Sequence, residues 1–202
     1  GTKFDYARRL AATLAYLLVH QGDAVGLVLF NERGTVEIPP RRSPAHLKAV
    51  IDTLAEARPQ GRTTLLDTVH AFAEKARRRA MVVLLSDCFT EAAPLLDGFK
   101  HMRFQKHDLA GFHLLDRLEV DFTFGRPMRF ADLESPFQMI TDPAVVADGY
   151  RAALDTYLET LARGSREFGV DYQRVRTDRH YEQVLAAFLL QRMRAGDGGA
   201  PA

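Results

Sequence analysis

Apolar residues recur at two different spacings along the chain, and these spacings predict alternating helices and strands. From Lys3 to Gln21 they return every three or four residues, which is typical of a helix with one buried face. Ala24–Phe30 and Ala80–Leu85 are instead continuous apolar runs, as expected for strands covered on both faces. The same patterns predict helices over 44–57, 65–79, 91–105, 142–168 and 181–194, and strands over 35–38, 108–115 and 170–175.

This alternation indicates an α/β fold, with a mostly parallel sheet flanked by helices. One stretch departs from it: in 119–124 apolar and polar residues alternate, and short apolar pieces continue to Ile140. We interpret 119–141 as an antiparallel hairpin excursion at the edge of the sheet. Pro39-Pro40 is expected to close the strand over 35–38.

The chain length favours one domain. At 202 residues, we assign residues 1–195 to a single domain and 196–202 to a flexible tail. The net charge of +1 disfavours a nucleic-acid partner, and no run of about 20 apolar residues predicts a membrane span. The single cysteine, Cys88, excludes an intramolecular disulfide and fits a reducing compartment, so we expect a cytoplasmic location.

Polar residues follow two apolar elements at points where α/β sheets bind ligands. Ser86-Asp87 comes directly after a buried strand, and Gly61–Leu65 is a tight loop that opens a helix. Carboxylate and hydroxyl oxygens suit a hard cation such as Mg²⁺. The structural alternative is that Asp87 is a helix N-cap and that Thr63 only starts a helix.

Other candidate chemistry is weaker. The sequence has neither a nucleophile elbow nor a phosphate-binding loop. His101 and His107 flank a helix–strand turn as a possible ligand pair, and Cys88 is either a nucleophile or a small buried thiol. Arg77–Arg79 is interpreted as a solvated helix end. The following aromatic residues form either a local core or an interaction surface: Phe122, Phe124, Phe130 and Phe137.

Several short motifs occur in one order along nearly the whole chain. They are Thr2–Ala7, Gln21–Leu27, Gly61–Leu65, Val82–Asp87, Leu115–Glu119, Phe130–Glu134 and Gly169–Tyr172. In this order and spacing the chain resembles the von Willebrand factor A-like domains of domain-of-unknown-function family 58, a bacterial family. The resemblance implies a Rossmann-like sheet flanked by helices.

The resemblance also implies a metal-ion-dependent adhesion site, in which three loops hold a divalent cation. Thr63 corresponds to the threonine of the second loop and Asp87 to the aspartate of the third, as ligands of Mg²⁺, or of Mn²⁺ or Ca²⁺. The Asp-x-Ser-x-Ser motif of the first loop is absent from this chain, so the site is incomplete here. The first, central strand would lie before Lys3. We therefore expect an unpaired strand edge at its place, or another segment lying in it.

For function, the resemblance implies a non-enzymatic protein-interaction domain. An acidic residue of the partner would complete the shell of the cation, and the partner would be a MoxR-type AAA ATPase acting in chaperone-like assembly. The alternative is a metal-dependent hydrolase of phosphates or esters. A hydrolase needs a general base within hydrogen-bond reach of the metal-bound water, and the sequence shows no such set of residues.

Overall fold

The structure, a computed structural model, describes residues 1–59, 64–76, 78–124, 128–131 and 138–197. In chain order its elements are α1 (Lys3–His20), β1 (Val25–Asn31), β2 (Gly34–Arg41), α2 (Pro44–Glu56), α3 (Leu65–Lys75), β3 (Met81–Ser86), α4 (Ala92–Phe104), β4 (Asp108–Leu115), α5 (Arg117–Asp121), β5 (Met128–Ala131), β6 (Gln138–Thr141), α6 (Pro143–Glu167), β7 (Asp171–Arg176) and α7 (Tyr181–Asp197). The α/β class that the apolar spacing predicts is confirmed.

The chain divides into two compact units. The first contains residues 1–29, residues 36–59 and the residues from Val175 onward. The second contains residues 30–35 and the stretch between Pro59 and Val175. Each unit has its own cluster of buried apolar residues. The assignment of 1–195 to one domain stays a prediction.

In the first unit, α1 and α2 pack together and contact the apolar side chains of the β1–β2 hairpin. Their buried residues are Ala15, Leu47, Val50 and Leu54. A capping box starts α1: Thr2 Oγ1 accepts a hydrogen bond from the Asp5 amide at 3.0 Å, and the Asp5 carboxylate accepts one from the Thr2 amide at 3.2 Å. The bond from the Thr2 backbone, with those from Arg8 and the Thr2 side chain, lowers the pKa of Asp5 to about 2.

The hairpin strand β2 is longer than the sequence predicts. Pro39 and Pro40 do not end it at Ile38, and the strand runs through both prolines to Arg41. Proline lacks an amide hydrogen and is tolerated on an edge strand, and among the described strands β2 pairs with β1 alone. The close pairing also requires Gly26, because a Cβ there would lie 2.8 Å from the Ile38 carbonyl oxygen.

The larger sheet is parallel and has the strand order β3-β4-β7. β3 and β4 are in register from Met81 opposite Asp108 to Ser86 opposite His113. Helices α3, α4 and α6 contribute to the core beside this sheet. Its buried residues are Leu65, Val69, Ala73, Cys88, Leu95, Phe99, Met102, Leu109, Leu161 and Val170.

Strand β3 lies at one edge of this sheet. Among the described strands it is hydrogen-bonded to β4 alone, as β1 is to β2 alone. Residues 81–85 are all apolar, yet every residue of β3 is exposed or half-exposed, whereas β4 is buried from Leu109 to Leu115. The strand β1 has no buried residue either. Neither run is therefore covered on both faces as predicted. That a further strand precedes Lys3 in this sheet stays a prediction.

The segment 119–141 is an antiparallel excursion only in its second part. β5 and β6 pair antiparallel, but residues 119–121 belong to helix α5 and form no strand. A capping box overrides the alternating pattern: the Asp116 carboxylate accepts a hydrogen bond from the Leu118 amide at 2.9 Å, and Glu119 accepts one from the Asp116 amide at 2.8 Å. Phe122 then ends the helix in the left-handed region, with φ of 43°.

Two helix ends also differ from the prediction. α3 ends at Lys75 and does not reach Arg79. Arg79 therefore does not lie at a helix end, and it forms an ion pair with the Asp108 carboxylate at 3.1 Å. α7 continues to Asp197, into the predicted tail, and residues 198–202 lie outside the described residues.

Candidate metal and interaction site

Asp87 lies directly after β3, at the carboxyl end of a parallel strand. Ligands of open α/β sheets bind at such ends. The residue is half-buried, and the loop that it begins is tightly held. The Cys88 amide donates to Ser86 Oγ at 3.0 Å, and the Thr90 amide donates to the Cys88 carbonyl at 2.7 Å. Cys88 has φ of 49°, a conformation uncommon for residues other than glycine.

Asp87 is not a helix N-cap. α4 begins at Ala92, and its N-cap position is Glu91, four residues after Asp87. The cap position of α3 is Thr64, which makes no side-chain capping bond. Its hydroxyl donates instead to the Asn31 carbonyl, with 3.4 Å between the oxygens. Thr63 lies outside the residues that the structure describes.

Three aromatic side chains with polar atoms support the loop after β3. The Tyr157 hydroxyl, from α6, donates to the Cys88 carbonyl, and the Tyr157 ring meets His113 edge-on at 6.2 Å between centroids. His113 Nδ1, from β4, lies 2.6 Å from the Tyr172 hydroxyl of β7. Burial, and to a smaller extent the charge of nearby Cys88, raises the pKa of the Tyr157 and Tyr172 hydroxyls. Both hydroxyls are therefore protonated near neutral pH. Tyr157 lies 69 positions from Cys88, and no local sequence signal predicts their contact.

The donor chemistry of Asp87 suits a hard divalent cation. Mg²⁺ takes one or two carboxylates and keeps several waters. Within the described ranges, no group of three or more His, Cys, Asp or Glu residues could hold a metal ion. Asp87 therefore fits such a cation in kind, while a complete ligand set is not found in this part of the chain.

The other candidate groups have different surroundings. Cys88 is 3% exposed, and its burial, with the charge of Asp87, raises the pKa of its thiol to about 12. A buried, protonated thiol is a poor nucleophile. His107 is fully buried, and its Nδ1 accepts a hydrogen bond from the Ala80 amide at 3.2 Å. His101 instead faces His70, which lies 31 positions earlier in the chain and was not a predicted ligand.

One exposed aromatic side chain lies in the loop after β3, and a cluster of aromatic rings surrounds Phe122. Phe89, two residues after Asp87, is 82% exposed. Phe89 directly follows Ser86-Asp87-Cys88 in the sequence, and this position is the local signal that points to it. Phe122 is buried and stacks on Tyr150 at 4.3 Å between centroids, with Phe124 edge-on at 5.0 Å, so the local-core interpretation holds for Phe122. The side chains of Phe130 and Phe137 lie outside the described part.

None of the described helices combines the length and the apolar character needed to cross a membrane.

Sequence comparison finds one family. The profile described as "Protein of unknown function DUF58" matches residues 1–156. Similar relatives are "Uncharacterized protein Rv1480" of Mycobacterium tuberculosis (strain ATCC 25618 / H37Rv) and "Uncharacterized protein Mb1516" of Mycobacterium bovis (strain ATCC BAA-935 / AF2122/97), each 26% identical over 204 residues. These matches cover 98% of this chain and 63% of each relative, so the chain spans less than two thirds of their length.

Two solved structures share the fold. One is an aerotolerance-related membrane protein from Bacteroides fragilis NCTC 9343 with multiple mutations to serines, with 14% identity and a TM-score of 0.55, over 91% of this chain and 85% of that one. The other is the conserved hypothetical protein BatB from Bacteroides thetaiotaomicron, with 12% identity and a TM-score of 0.55, over 96% and 88%. At these identities the likeness concerns the fold alone.

Proposed function

The chain belongs to the DUF58 family, and we propose that it is a non-enzymatic protein-interaction domain with a divalent-cation site. Thr63 and Asp87 each supply an oxygen ligand to Mg²⁺, or to Mn²⁺ or Ca²⁺. The remaining ligands are water, groups from outside this chain and an acidic residue of the partner. The partner is a MoxR-type AAA ATPase in chaperone-like assembly, and the interaction takes place in the cytoplasm, where ATP is available.

The position of Asp87 carries this proposal. Asp87 follows the apolar strand β3, and hydrogen bonds from Cys88 to Ser86, and from Thr90 and Tyr157 to Cys88, hold the backbone of the turn that it begins. A ligand held on such a turn keeps its place whether or not a cation is bound, and this lowers the ordering cost of binding. A partner carboxylate entering the open coordination positions would then make the contact dependent on the metal.

The surroundings of Asp87 favour protein contact over catalysis. Phe89 exposes 82% of its surface two residues away, and an exposed aromatic ring beside a charged group is a common anchor of interfaces. The nearby Cys88, Tyr157 and Tyr172 all have raised pKa values, so none of these three groups is a base near neutral pH.

The test is the affinity of the full-length protein for a MoxR-type ATPase of the same organism, measured by biolayer interferometry in Mg²⁺ and in EDTA. We expect Mg²⁺-dependent binding that Asp87→Ala weakens at least about tenfold, since one ligand to the cation is lost. Asp97→Ala is the matched control, because Asp97 is an exposed aspartate of α4, and its affinity should be unchanged.

A second pair of variants tests the aromatic contact. Phe89→Ala should weaken binding by about tenfold, as expected for an aromatic interface anchor. Phe104→Ala removes a ring of equal exposure, 81%, at the other end of α4 and should have no effect. Binding that is equal in Mg²⁺ and EDTA, or no binding at all, would contradict the proposal. Hydrolysis of p-nitrophenyl phosphate or acetate that Asp87→Ala abolishes would favour the hydrolase instead.

A further inference from the structure

A cavity of about 390 Å³ opens in the first unit, between one face of α1 and the loop that leads from β7 into α7. Its volume is within the range of small-molecule sites. The α1 wall consists of residues at helical positions i, i+3, i+4 and i+7: Thr2, Asp5, Tyr6 and Arg9. Residues 177–182 form the opposite wall. The Asp87 loop belongs to the second unit and takes no part in this cavity.

The α1 wall holds a buried hydroxyl that lacks a hydrogen-bond partner. Tyr6 is 8% exposed, and its hydroxyl bonds to no group among the described residues. Burial raises the pKa of this hydroxyl to about 12, and the charges that act on it are those of Glu182, Arg179 and Asp178, all on the opposite wall. The hydroxyl is therefore directed towards the cavity and is a protonated donor near neutral pH. Buried polar groups are nearly always paired, so this donor indicates an acceptor from outside the chain.

Two backbone amides at the start of α7 also lack an acceptor. Tyr181 and Glu182 are the first two residues of this 17-residue helix, and both line the cavity. The first amides of a helix have no acceptor within the helix, and these two have none elsewhere in the described part of the chain. The helix dipole adds a partial positive charge at the same end. A helix start with free amides is a binding place for anions such as phosphate.

Two of the three carboxylates around the cavity are neutralised by neighbouring arginines. Asp5 forms an ion pair with Arg8, and it also closes the capping box of α1. Asp178 forms an ion pair with Arg176, with 2.7 Å between the nitrogen and the oxygen. Glu182 has no ion-pair partner among the described residues. One unbalanced negative charge therefore remains on the cavity walls.

Two arginines outweigh this negative charge. Arg9 lies on one wall of the cavity and Arg179 on the other, and neither guanidinium pairs with a carboxylate of the described residues. A guanidinium binds a phosphate through two parallel hydrogen bonds. A phosphate also has enough oxygens for both guanidiniums, the two amides of α7 and the Tyr6 hydroxyl, whereas a carboxylate has only two. The donors around the cavity therefore favour a phosphate.

We propose that this cavity binds the phosphate group of a small phosphorylated molecule. Arg9 and Arg179 pair with the charge of the phosphate, and the first amides of α7 and the Tyr6 hydroxyl donate to its oxygens. The cavity is larger than a phosphate, so it also has room for the organic part of the ligand. The Tyr181 ring, which lies edge-on to Tyr6 at 6.2 Å between centroids, offers that part an apolar surface. This site selects an anion, and it does not depend on the cation proposed at Asp87.

Calorimetry on the full-length protein tests the site with inorganic phosphate, ribose 5-phosphate, ribose and acetate. We expect the two phosphate compounds to bind in competition with each other, and ribose and acetate not to bind. Arg9→Gln and Arg179→Gln should each weaken the affinity for ribose 5-phosphate about tenfold, because each removes a charge-assisted pair. Arg42→Gln is the matched control, since Arg42 is an exposed arginine of the same unit outside the cavity, and its affinity should be unchanged.

Tyr6→Phe separates a ligand contact from a structural role. The ring and its packing are retained while an unpaired hydroxyl is removed, so the melting temperature without phosphate should not fall. The affinity for ribose 5-phosphate should nevertheless fall about threefold to tenfold. In the unchanged protein, phosphate should shift the amide signals of Tyr181 and Glu182 in nuclear magnetic resonance spectra. Absence of binding by both phosphate compounds, acetate binding as tight as that of phosphate, or unchanged affinity in all three cavity variants would overturn the proposal.

Discussion

Asp87 and Cys88 are adjacent in the chain, and their surroundings give them opposite properties. Asp87 is half-buried at the carboxyl end of β3, whereas Cys88 is 3% exposed and belongs to the core. The left-handed conformation of Cys88 turns the chain here, and Tyr157 and Thr90 both donate to its carbonyl. The loop therefore presents a carboxylate at the end of the sheet and buries a thiol.

The thiol of Cys88 should be inert in the folded protein. Its pKa is raised from 9.0 to about 12, so at pH 8 the thiolate is about three orders of magnitude rarer than in the unfolded chain. We expect negligible reaction with a thiol reagent such as 5,5′-dithiobis(2-nitrobenzoate) at pH 8, and prompt reaction of one thiol per chain in 8 M urea. Rapid labelling without urea would mean that the loop opens readily.

At the scale of elements, glycines bring helices close together. Gly164 of α6 faces Leu96 of α4, and a Cβ at Gly164 would lie 2.5 Å from Leu96 Cδ1 and 2.8 Å from Cδ2. Gly149, in the same helix, has no atom within 4 Å of its Cβ position. The two glycines have the same helical backbone, and they differ in what surrounds them.

Substitution of these two glycines should have opposite effects. Gly149→Ala should stabilise the protein by about 0.5–1 kcal/mol, because alanine favours the helix. Gly164→Ala should destabilise it by about 1–3 kcal/mol, because the added methyl group meets Leu96. Urea unfolding measures both changes. The double variant Gly164→Ala, Leu96→Ala should be destabilised by less than the sum of the two single-variant destabilisations, because the shortened side chain makes room for the added methyl group. Strict additivity of the two free-energy changes would argue against the contact.

At the scale of the whole molecule, net charge is close to zero and a few ion pairs have structural roles. Arg103, near the end of α4, donates to the Asp108 carboxylate at 2.8 Å and to the carbonyls of His107 and Phe168. It thereby connects the end of α4, the start of β4 and the end of α6. Burial tends to raise the pKa of Asp108, but hydrogen bonds and charges of Arg103 and Arg79 outweigh it and lower the pKa.

Stability should therefore fall in acid in a way that depends on Asp108. Because its folded pKa is lowered, its contribution is complete above the unfolded value of about 3.9 and is lost as the pH falls through the folded value. Asp108→Asn should cost about 0.5–1 kcal/mol at pH 7, and this cost should shrink towards pH 2. Urea unfolding at pH 7, 4 and 2.5 measures it, with the exposed Asp148→Asn as control. A cost that does not change with pH would contradict this assignment.

The candidate site was predictable from the sequence only in part. Ser86-Asp87 at the end of an apolar strand is a local pattern, and the structure places it at the carboxyl end of β3. Tyr157, His113 and Tyr172 come from three other elements, so their contacts depend on how α6, β4 and β7 pack. The interpretation of Asp87 as an N-cap was wrong because α4 begins at Ala92 and its N-cap position is Glu91, four residues after Asp87.

Local interactions account for the features that the sequence alone determines: the α/β class, most helix and strand positions, and the capping box at Thr2. These depend on apolar spacing and on hydrogen bonds between near neighbours. Packing decides the rest. The strand through Pro39-Pro40 needs an edge, and the His70–His101 pair needs α3 against α4 at Gly98. Contacts between distant segments form only when the chain is folded, so no local pattern contains them.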